Sequence, residues 1–460
     1  MKVRIVRPAG GGVVKAIASK SEAHRMLICA ALADRETVVG CEERSEDIEA
    51  TASCLALMGA SVKYVGGEYL VSPITESPGV RGKSLGYSGF GAGTSDNEHS
   101  LDCGESGSTL RFLLPVCGAL GIRAAFHMSG RLPERPMGEL SSQLEAGGCI
   151  LSEQGSNPLR CSGQLRSGIY TIPGNVSSQF VSGLLFALSL LEGESSIYIT
   201  GVLESRPYVD ITLDALRLFG VSVFEELGVG GELGVRSEEL GVKDEDGLVF
   251  RVSGGQAYRS PEYVRAGGDW SNAAFWLSLG AIGKGGVTCT GLDMESRQGD
   301  RRIVELLGRF GAIVTCENDA VNVSPSLLRG IDIDARDTPD LVPVLAAVAS
   351  VAEGKTVIRN AERLRIKESN RLSAITQALG SLGADIAETE DGLVIFGKKT
   401  LSGGGTGSFG DHRIPMASAV ASAACIGPVV IEGAEAVRKS YPGFFDDFCT
   451  ALGGEIIVEN

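Results

Sequence analysis

The residues best suited to chemistry lie at the starts of apolar segments, in short polar runs that contain serine, basic residues or both. Four such runs cover residues 19–25, 104–111, 177–180 and 410–413. The start of a helix exposes free N–H groups and partial positive charge, so it binds anions readily. A serine there can also be an ordinary helix cap, and both readings stay open for each run taken alone. Several runs with basic groups attached favour a site for anionic ligands.

Carboxylates suited to acid–base chemistry are fewer, and two of them occupy informative positions. Glu368 lies in a basic stretch, residues 363–371, in which Lys367 and Arg371 are one helical turn apart. Asp340 falls in the first turn of an apolar segment, where it could act as a base or simply interact with the helix dipole. A solvated charged surface stays the alternative for residues 363–371.

Composition and charge narrow the classes of protein to which the chain can belong. Its 460 residues are 43% hydrophobic and carry a net charge of −15, which argues against a general binder of nucleic acid or membrane surfaces. The eleven cysteines form no CxxC pair, and with the four scattered histidines they give no zinc or haem motif. Residues 1–7 lack the apolar segment of a secretory signal, so reduced cysteines and a cytoplasmic location are expected.

One phrase recurs six times: a leucine-rich helical stretch runs into a glycine, then a small residue, then strand-forming residues. Glycine just past a helix adopts a left-handed conformation at little cost, so each copy predicts a helix end, a tight turn and a strand. A second, apolar helix precedes each copy, and the repeating unit is therefore helix, strand, helix, strand, strand. The six glycines are Gly59, Gly147, Gly220, Gly311, Gly383 and Gly453.

Six such units in a chain of this length predict an α/β (α+β) fold of two similar domains with three units each. The predicted N-terminal domain covers residues 20–257, and the C-terminal domain covers residues 1–19 plus 258–460. Each domain would place its inner helices around a shared axis, with the sheets outside. A series of unrelated α/β elements that share only their capping glycines is the alternative.

Taken in chain order, the motifs resemble those of the 5-enolpyruvylshikimate-3-phosphate (EPSP) synthase family of enolpyruvyl transferases, and the resemblance runs end to end. It rests on residues 19–25, 107–111, 131–138, 177–179, 205–208, 339–340, 367–371, 411–413 and Lys439. The resemblance implies two domains, each of three βαβαββ-type units, with the active site in the cleft between them. It also implies that no metal or organic cofactor is needed, and that the protein is a cytoplasmic monomer without nucleic-acid or membrane partners.

For the activity, the resemblance implies transfer of the enolpyruvyl group of phosphoenolpyruvate to the 5-hydroxyl of shikimate 3-phosphate. The products are 5-enolpyruvylshikimate 3-phosphate and phosphate, formed through a tetrahedral ketal in aromatic amino-acid (chorismate) biosynthesis. Asp340 is then expected to accept the hydroxyl proton. Glu368 and Lys20 are the candidates for protonating the methylene carbon.

Both substrates carry a carboxylate and a phosphate, so binding them together requires many cations and N–H donors. The resemblance implies that one set of residues binds shikimate 3-phosphate: Lys20, Ser21, Arg25, Ser177, Ser178, Gln179, Ser205, Asp340 and Lys367. A second set is implied for phosphoenolpyruvate: Lys20, Gly107, Arg131, Gln179, Arg371, Arg413 and Lys439.

Three positions depart from the pattern of this family. Glu105 stands where many members have asparagine, two residues before Gly107. Arg363 stands where some relatives have a substrate-contacting asparagine, so that contact is not expected here. Asn370 replaces a common aspartate, which affects how Arg371 is oriented.

Three other functions stay open as alternatives. The nearest is the related enolpyruvyl transferase that acts on UDP-N-acetylglucosamine. That family usually has Lys-Asn where this chain has Lys20 and Ser21, and a reactive cysteine in the loop that corresponds to residues 129–138, which has none here. A catalytically silent anion-binding protein is disfavoured by four retained residues: Lys20, Asp340, Glu368 and Lys439. An RNA-processing relative of the fold is disfavoured by the acidic charge and the lack of aromatic platforms.

Overall fold

The chain divides into two compact units in a computed structural model that describes residues 1–74, 98–228 and 247–459. The N-terminal unit comprises Ser21–Cys41 and Asp47–Ala266. The C-terminal unit comprises Met1–Lys20, Glu42–Glu46 and Gly267–Asn460. No helix in the described ranges is both long enough and apolar enough to cross a membrane.

The strands of the described residues are short and form six four-stranded sheets, three in each unit. In chain order they are β1 Lys2–Arg7, β2 Gly12–Lys15, β3 Thr37–Gly40, β4 Ser61–Val65, β5 Glu68–Ser72, β6 His99–Asp102, β7 Ala124–His127, β8 Cys149–Leu151, β9 Leu159–Gly163, β10 Ile169–Pro173, β11 Ser195–Thr200, β12 Val223–Gly228, β13 Gly247–Val252, β14 Tyr263–Arg265, β15 Val287–Thr290, β16 Ile313–Glu317, β17 Ala320–Ser324, β18 Asp332–Asp334, β19 Lys355–Arg359, β20 Asp385–Glu388, β21 Leu393–Phe396, β22 Gly404–Gly407, β23 Val429–Glu432 and β24 Glu455–Glu459.

The α-helices of the described residues alternate with these strands. They are α1 Lys20–Ala31, α2 Glu46–Leu57, α3 Gly107–Leu120, α4 Gly138–Ala146, α5 Ser178–Leu188, α6 Arg206–Leu218, α7 Trp270–Ile282, α8 Ile303–Phe310, α9 Val342–Ala349, α10 Arg371–Ser381, α11 Arg413–Ala421 and α12 Phe444–Thr450. Short 3-10 helices lie at Leu132–Glu134, Gly299–Arg302, Pro339–Leu341, Glu362–Ile366, Ser422–Ala424 and Ala434–Lys439.

Every sheet has the same arrangement of strands: across the sheet, the first pair of neighbours is parallel and the next two pairs are antiparallel. This arrangement confirms the predicted βαβαββ-type repeat. In the sheet β6-β7-β9-β8, the first two strands are parallel with α3 between them, and the last two join as an antiparallel hairpin. The orders β10-β11-β13-β12 and β18-β19-β21-β20 repeat that pattern. Parallel strands need a crossover, here a helix, whereas antiparallel strands can be joined by a tight turn.

Two sheets take their first strand from a distant part of the chain. Strand β2 precedes α1 in sequence but pairs in parallel with β15, while β14 precedes α7 but pairs in parallel with β3. The chain passes from one unit to the other at two places. At each place the strand before the crossing pairs within the unit that the chain is leaving, although the helix that follows lies in the other unit. This pairing places residues 258–266 in the N-terminal unit, whereas the sequence-based boundary lay at residue 257. The prediction of an active site in a cleft between domains stays a prediction.

The capping glycines have the predicted left-handed conformation, with one shift of position. Gly59 and Gly311 have φ values of 106° and 105°, and Gly220, Gly383 and Gly453 also have positive φ. In the second copy the left-handed residue is Gly148, with φ of 108°, because Gly147 continues the right-handed geometry as the C-cap of α4. A β-carbon at Gly148 would lie 2.7 Å from the carbonyl oxygen of Gln164, so only glycine fits that turn.

The first helix of most repeats is apolar on all sides, as expected of an inner helix. In the C-terminal unit α7, α9 and α11 pack on one another, and every residue of α9 and α11 is buried. In the N-terminal unit α3 packs on α5, and α3 buries every residue except Ser108. Helix α5 likewise buries every residue except Gln179, in its first turn. The polar residues that stay accessible on these helices are therefore at their N-terminal ends.

Candidate active site

Three predicted site residues of the C-terminal unit lie at helix starts. Asp340 lies in the 3-10 helix Pro339–Leu341, directly before α9. Arg371 and Arg413 are the first residues of α10 and α11. Asn370 caps α10, because its side-chain oxygen accepts a hydrogen bond from the backbone N–H of Ser373. The departure at position 370 thus keeps a good N-cap and fixes the point at which α10 begins.

Asp340 is held by both of these arginines. Its Oδ1 accepts a hydrogen bond of 2.9 Å from Arg371 Nη1, and its Oδ2 accepts one of 2.9 Å from Arg413 Nη2. The backbone carbonyl of Asp340 accepts a further bond of 3.2 Å from Arg413 Nη1. Two charge-assisted pairs on one carboxylate fix the position of all three side chains.

Arg371 connects this carboxylate to two others and is only 1% exposed. Its Nη2 donates to Glu368 Oε2 at 2.6 Å, and its Nε donates to Asp411 Oδ2 at 2.8 Å. Asp411 is fully buried and also accepts from the backbone N–H of Arg413 at 3.0 Å. Asp340, Glu368, Arg371, Asp411 and Arg413 form one network, called here the carboxylate–arginine cluster.

The charges in this cluster shift the pKa values of its members strongly. Burial opposes ionisation of Asp340, but the positive charges of Arg413, Lys367 and Arg371 outweigh burial and hold the pKa of Asp340 far below its usual range. Burial lowers the pKa of Lys367 to about 8, although the charge of Asp340 acts in the opposite direction. Lys367 therefore changes its charge close to neutral pH, while Asp340 stays ionised.

Two further groups of the C-terminal unit, Lys439 and His412, lie beside the cluster. Lys439, which is buried, donates a hydrogen bond of 2.6 Å from Nζ to the carbonyl oxygen of Gly410. His412 is buried, and burial together with the charges of Lys20 and Arg413 lowers its pKa well below the usual value. Neither ring nitrogen of His412 has a hydrogen-bond partner in the described structure. His412 is thus a neutral imidazole, to which sequence reasoning assigned no role.

The structure brings two more residues to the cluster that sequence reasoning missed. Ser271, in the first turn of α7, donates a hydrogen bond to Oδ2 of Asp300. Burial is the main cause that raises the pKa of Asp300 to about 7, and the charge of Asp340 acts in the same direction. Asp300 lies in Gly299–Arg302, which shares the order Gly-Asp-x-Arg with residues 410–413 but precedes an amphipathic rather than an apolar segment, so the sequence carried only a weak signal for it.

The candidate residues of the N-terminal unit are held mainly by neutral groups. The amide of Gln179 accepts a hydrogen bond of 2.8 Å from Arg111 Nη1 and donates one of 2.9 Å to Ser108 Oγ. Ser177 is the N-cap of α5, with its hydroxyl accepting from the backbone N–H of Gln179 at 3.3 Å, and Ser178 is buried in the first turn. This arrangement fixes the Gln179 side chain between α5 and α3.

Arg25 is buried and uses all three of its nitrogens within the N-terminal unit. Nε donates to Thr212 Oγ1 at 2.7 Å, Nη1 to the carbonyl of Ser21 at 2.6 Å, and Nη2 to the carbonyl of Tyr208 at 2.8 Å. Burial lowers its pKa to about 10. Ser205, the N-cap of α6, has a positive φ of 55° and is buried. Arg25 therefore connects the start of α1 to α6 within the N-terminal unit.

Gly107 lies between two buried arginines. A β-carbon at this position would lie 2.8 Å from Nη1 of Arg111 and 2.8 Å from Nη1 of Arg135. Arg131 is more exposed, and its Nε lies 3.5 Å from Glu134. The carboxyl of Glu105 lies against the α-carbon of Gly130, where it leaves no room for a β-carbon. Arg111 and Arg135 are a second pair of residues at this site, outside the two predicted substrate-binding sets.

The two sets of residues differ in what they can do. The C-terminal unit combines an ionised carboxylate, a lysine that titrates near neutral pH and two arginines with planar donor groups, which suits proton transfer next to a bound anion. The N-terminal unit offers hydroxyl, amide and guanidinium donors without a carboxylate in the hydrogen-bonded set around Gln179, which suits binding of an anionic, hydroxylated ligand.

Known proteins are similar to this chain in sequence over nearly its whole length. The family model for EPSP synthase (3-phosphoshikimate 1-carboxyvinyltransferase) matches residues 9–448. The 3-phosphoshikimate 1-carboxyvinyltransferase of Clostridium kluyveri is 44% identical over 449 residues, which are 97% of this chain and 96% of that protein. The protein of the same name from Clostridium perfringens is 39% identical over 457 residues, covering 99% of each chain.

A solved structure is also similar in fold. The EPSP synthase from Acinetobacter baumannii superposes with a TM-score of 0.76 at 26% sequence identity. The superposition covers 99% of this chain and all of that chain. The similarity therefore includes both compact units and all six repeats.

Proposed function

Because the chain belongs to the EPSP synthase family, we propose that its residues carry out enolpyruvyl transfer from phosphoenolpyruvate to the 5-hydroxyl of shikimate 3-phosphate. The products are 5-enolpyruvylshikimate 3-phosphate and inorganic phosphate. The reaction belongs to the shikimate pathway of aromatic amino-acid biosynthesis. The observation that carries the proposal is the carboxylate–arginine cluster, in which Asp340 pairs with both Arg371 and Arg413, two arginines suited to binding a phosphate or a carboxylate.

Phosphoenolpyruvate changes the balance of charge in this cluster. Arg371 and Arg413 are the arginines expected to bind it, and both are paired with Asp340 in the structure. A bound phosphate or carboxylate competes for the same N–H donors, because guanidinium groups bind these anions through two parallel hydrogen bonds. Each donor that turns to the substrate leaves Asp340 less stabilised as an anion, so its pKa rises and it becomes a stronger base.

Asp340 then accepts the proton from the 5-hydroxyl while that oxygen forms a bond to C2 of phosphoenolpyruvate. The methylene carbon takes a proton in the same half of the reaction, from Glu368 or Lys20. The product of this addition is the tetrahedral ketal. Elimination of phosphate from C2 and loss of a proton from the methyl group restore the double bond and give the enol ether.

Shikimate 3-phosphate is expected to bind through Lys367 and through the hydroxyl and amide groups of the N-terminal unit. Support comes from Gln179, which is the one accessible residue of α5 and is fixed by Arg111 and Ser108. Arg25 is bonded to three groups of its own unit. Its guanidinium has five N–H groups, so two lie beyond these three bonds and are proposed to bind the phosphate.

The direct test measures phosphate release from phosphoenolpyruvate with two acceptors in parallel, shikimate 3-phosphate and UDP-N-acetylglucosamine. Release with shikimate 3-phosphate alone is the expected result. Release with the sugar nucleotide alone would assign the chain to the other enolpyruvyl transferase activity. Absence of release with either acceptor, from protein shown to be folded by circular dichroism, would overturn the proposal and favour a silent anion-binding protein.

We also propose that the protein acts as a cytoplasmic monomer without nucleic-acid partners. All eleven cysteines are free in the structure, as expected of a protein in a reducing compartment. The net charge of −15 disfavours binding to a polyanion. Sedimentation velocity at micromolar concentration should give a single species of about the chain mass, 47.9 kDa. A species of twice that mass would contradict the monomer.

A further inference from the structure

A buried carboxylate outside the predicted site is connected to the carboxylate–arginine cluster through one hydroxyl. Asp300 is 3% exposed, and its Oδ2 accepts the hydrogen bond donated by Ser271. The oxygen of Ser271 in turn accepts a bond of 3.4 Å from Arg413 Nη2. The same Nη2 donates to Asp340 Oδ2 at 2.9 Å. A continuous path therefore runs from Asp300 to the proposed base.

The direction of these bonds explains what Asp300 contributes. An ionised carboxylate can only accept hydrogen bonds. Ser271 therefore donates its O–H to an ionised Asp300, and a lone pair of the hydroxyl oxygen faces Arg413. A protonated Asp300 could donate to Ser271 instead, and the serine proton would then point away from Asp300. The hydroxyl proton of Ser271 would then occupy space that the guanidinium of Arg413 needs. Ionisation of Asp300 therefore sets which way Ser271 faces.

Several elements of the C-terminal unit supply the charges around Asp300. Asp269 and Ser271 belong to the start of α7, Asp340 comes from the 3-10 helix before α9, and Arg413 comes from α11. Burial and the two aspartates oppose ionisation of Asp300, while Arg413 and Ser271 favour it. A buried carboxylate in such balanced surroundings responds to small changes in its neighbours.

We propose that Asp300, acting through Ser271, is a positioning residue for Arg413. Through the Ser271 hydroxyl it holds Nη2 of Arg413, so that Arg413 keeps its orientation when a bound phosphoenolpyruvate draws it away from Asp340. The inference rests on the proposed enolpyruvyl transfer, because Arg413 and Asp340 have their roles there. It adds to that reaction a supporting pair that touches neither substrate.

The test compares Asp300→Asn and Ser271→Ala with wild-type protein. Asparagine keeps the size of Asp300 but removes the charge, and alanine removes the hydroxyl that transmits it. Each variant is expected to lower kcat/KM for phosphoenolpyruvate by about tenfold to 100-fold, because misplacing a substrate-binding group costs this much. The KM for shikimate 3-phosphate should change less than twofold. Ser271→Thr, which keeps a hydroxyl, should recover most of the activity.

Two readouts separate positioning from a general structural defect. The double variant should be no slower than the slower single variant, because both changes break the same path. The acidic limb of the wild-type pH–rate profile should include a group that titrates near pH 7, since Asp300 must be ionised. That group should be missing from Asp300→Asn. Glu305→Gln, an exposed carboxylate of α8, is the matched control and should behave as wild type.

The possible outcomes are distinct. Wild-type protein without turnover would overturn the proposed function and this inference together. Active wild-type protein with unchanged kinetics in Asp300→Asn would overturn the positioning role alone. Additive losses in the double variant, or an unchanged acidic limb in Asp300→Asn, would also overturn it. If Asp300→Asn fails to fold, Ser271→Ala and Ser271→Thr decide the question, because they leave the buried carboxylate in place.

Discussion

The candidate residues of the two units are held in place by different physics. In the C-terminal unit, Asp340, Arg371 and Arg413 hold one another by charge, and the pKa values of several groups are strongly shifted. In the N-terminal unit, Gln179 and Arg25 are held by hydroxyl, amide and backbone groups. Under the proposed function, the charged cluster of the C-terminal unit would carry the proton transfer to Asp340, and the neutral groups around Gln179 would contribute mainly to substrate binding.

The largest expected effect comes from the proposed base. Asp340→Asn should lower kcat by about 10³-fold, within the range for loss of general base catalysis, and should change either KM by less than about threefold. The matched variant of the other unit, Gln179→Leu, should mainly raise KM for shikimate 3-phosphate. Steady-state kinetics of both variants would show this contrast. If Asp340→Asn keeps the kcat of wild-type protein, Asp340 is not the base and the contrast between the two units fails.

Arg371 gives the largest expected effect on stability. Arg371→Met leaves Asp340, Glu368 and Asp411 without their shared cation, which should cost about 3–5 kcal/mol in the free energy of unfolding. The control is Arg217→Met in the N-terminal unit, where an exposed ion pair with Asp214 should contribute at most about 1 kcal/mol. Urea denaturation measures both. Equal losses in the two variants would show that charge does not organise the C-terminal cluster.

A smaller effect is expected at Gly107. In Gly107→Ala the new methyl group displaces the ends of Arg111 and Arg135, which are flexible, so the fold should persist while KM for phosphoenolpyruvate rises about tenfold. Gly308→Ala is the control, because a β-carbon there meets nothing within 4 Å. It should leave both KM values unchanged and stabilise α8 slightly. An unchanged KM in Gly107→Ala would place phosphoenolpyruvate away from these arginines.

The smallest expected effect is a pH dependence of acceptor binding. The pKa of Lys367 is lowered to about 8, so its side chain is charged below that pH and neutral above it. The KM for shikimate 3-phosphate should therefore rise several-fold between pH 7 and pH 9. Lys367→Arg keeps its charge over this range and should flatten the rise. The same rise in Lys367→Arg as in wild type would assign the titration to another group.

Local signals in the sequence predicted the repeats and many of the site residues. Glycines such as Gly311 and Gly383 mark helix ends because only local sterics decide their conformation. The motif residues at the starts of α10 and α11 could be found because helix starts have recognisable polar sequences. The roles assigned to these residues stay predictions until variants are measured.

Features that depend on distant parts of the chain were not predictable in the same way. The pairing of β14 with β3 joins residues more than 200 positions apart, and no periodicity reports it. Asp300 is informative only because the fold buries it near Asp340 and Arg413. Two adjacent glycines, Gly147 and Gly148, satisfy the same local rule for a left-handed residue after a helix. Which of them takes that conformation depends on where α4 ends.

The first strand has a consequence for how the protein is made on the ribosome. Strand β1 lies between β23 and β24 and pairs in antiparallel fashion with both, so its partners are synthesised more than 400 residues after it. Its edges therefore lack these partners until residues 429–459 have been synthesised, long after the last residue of the N-terminal unit, Ala266. A chaperone that shields β1 would therefore assist biosynthesis. A ribosome that stalls before residue 429 would release a chain with an open strand edge at its beginning.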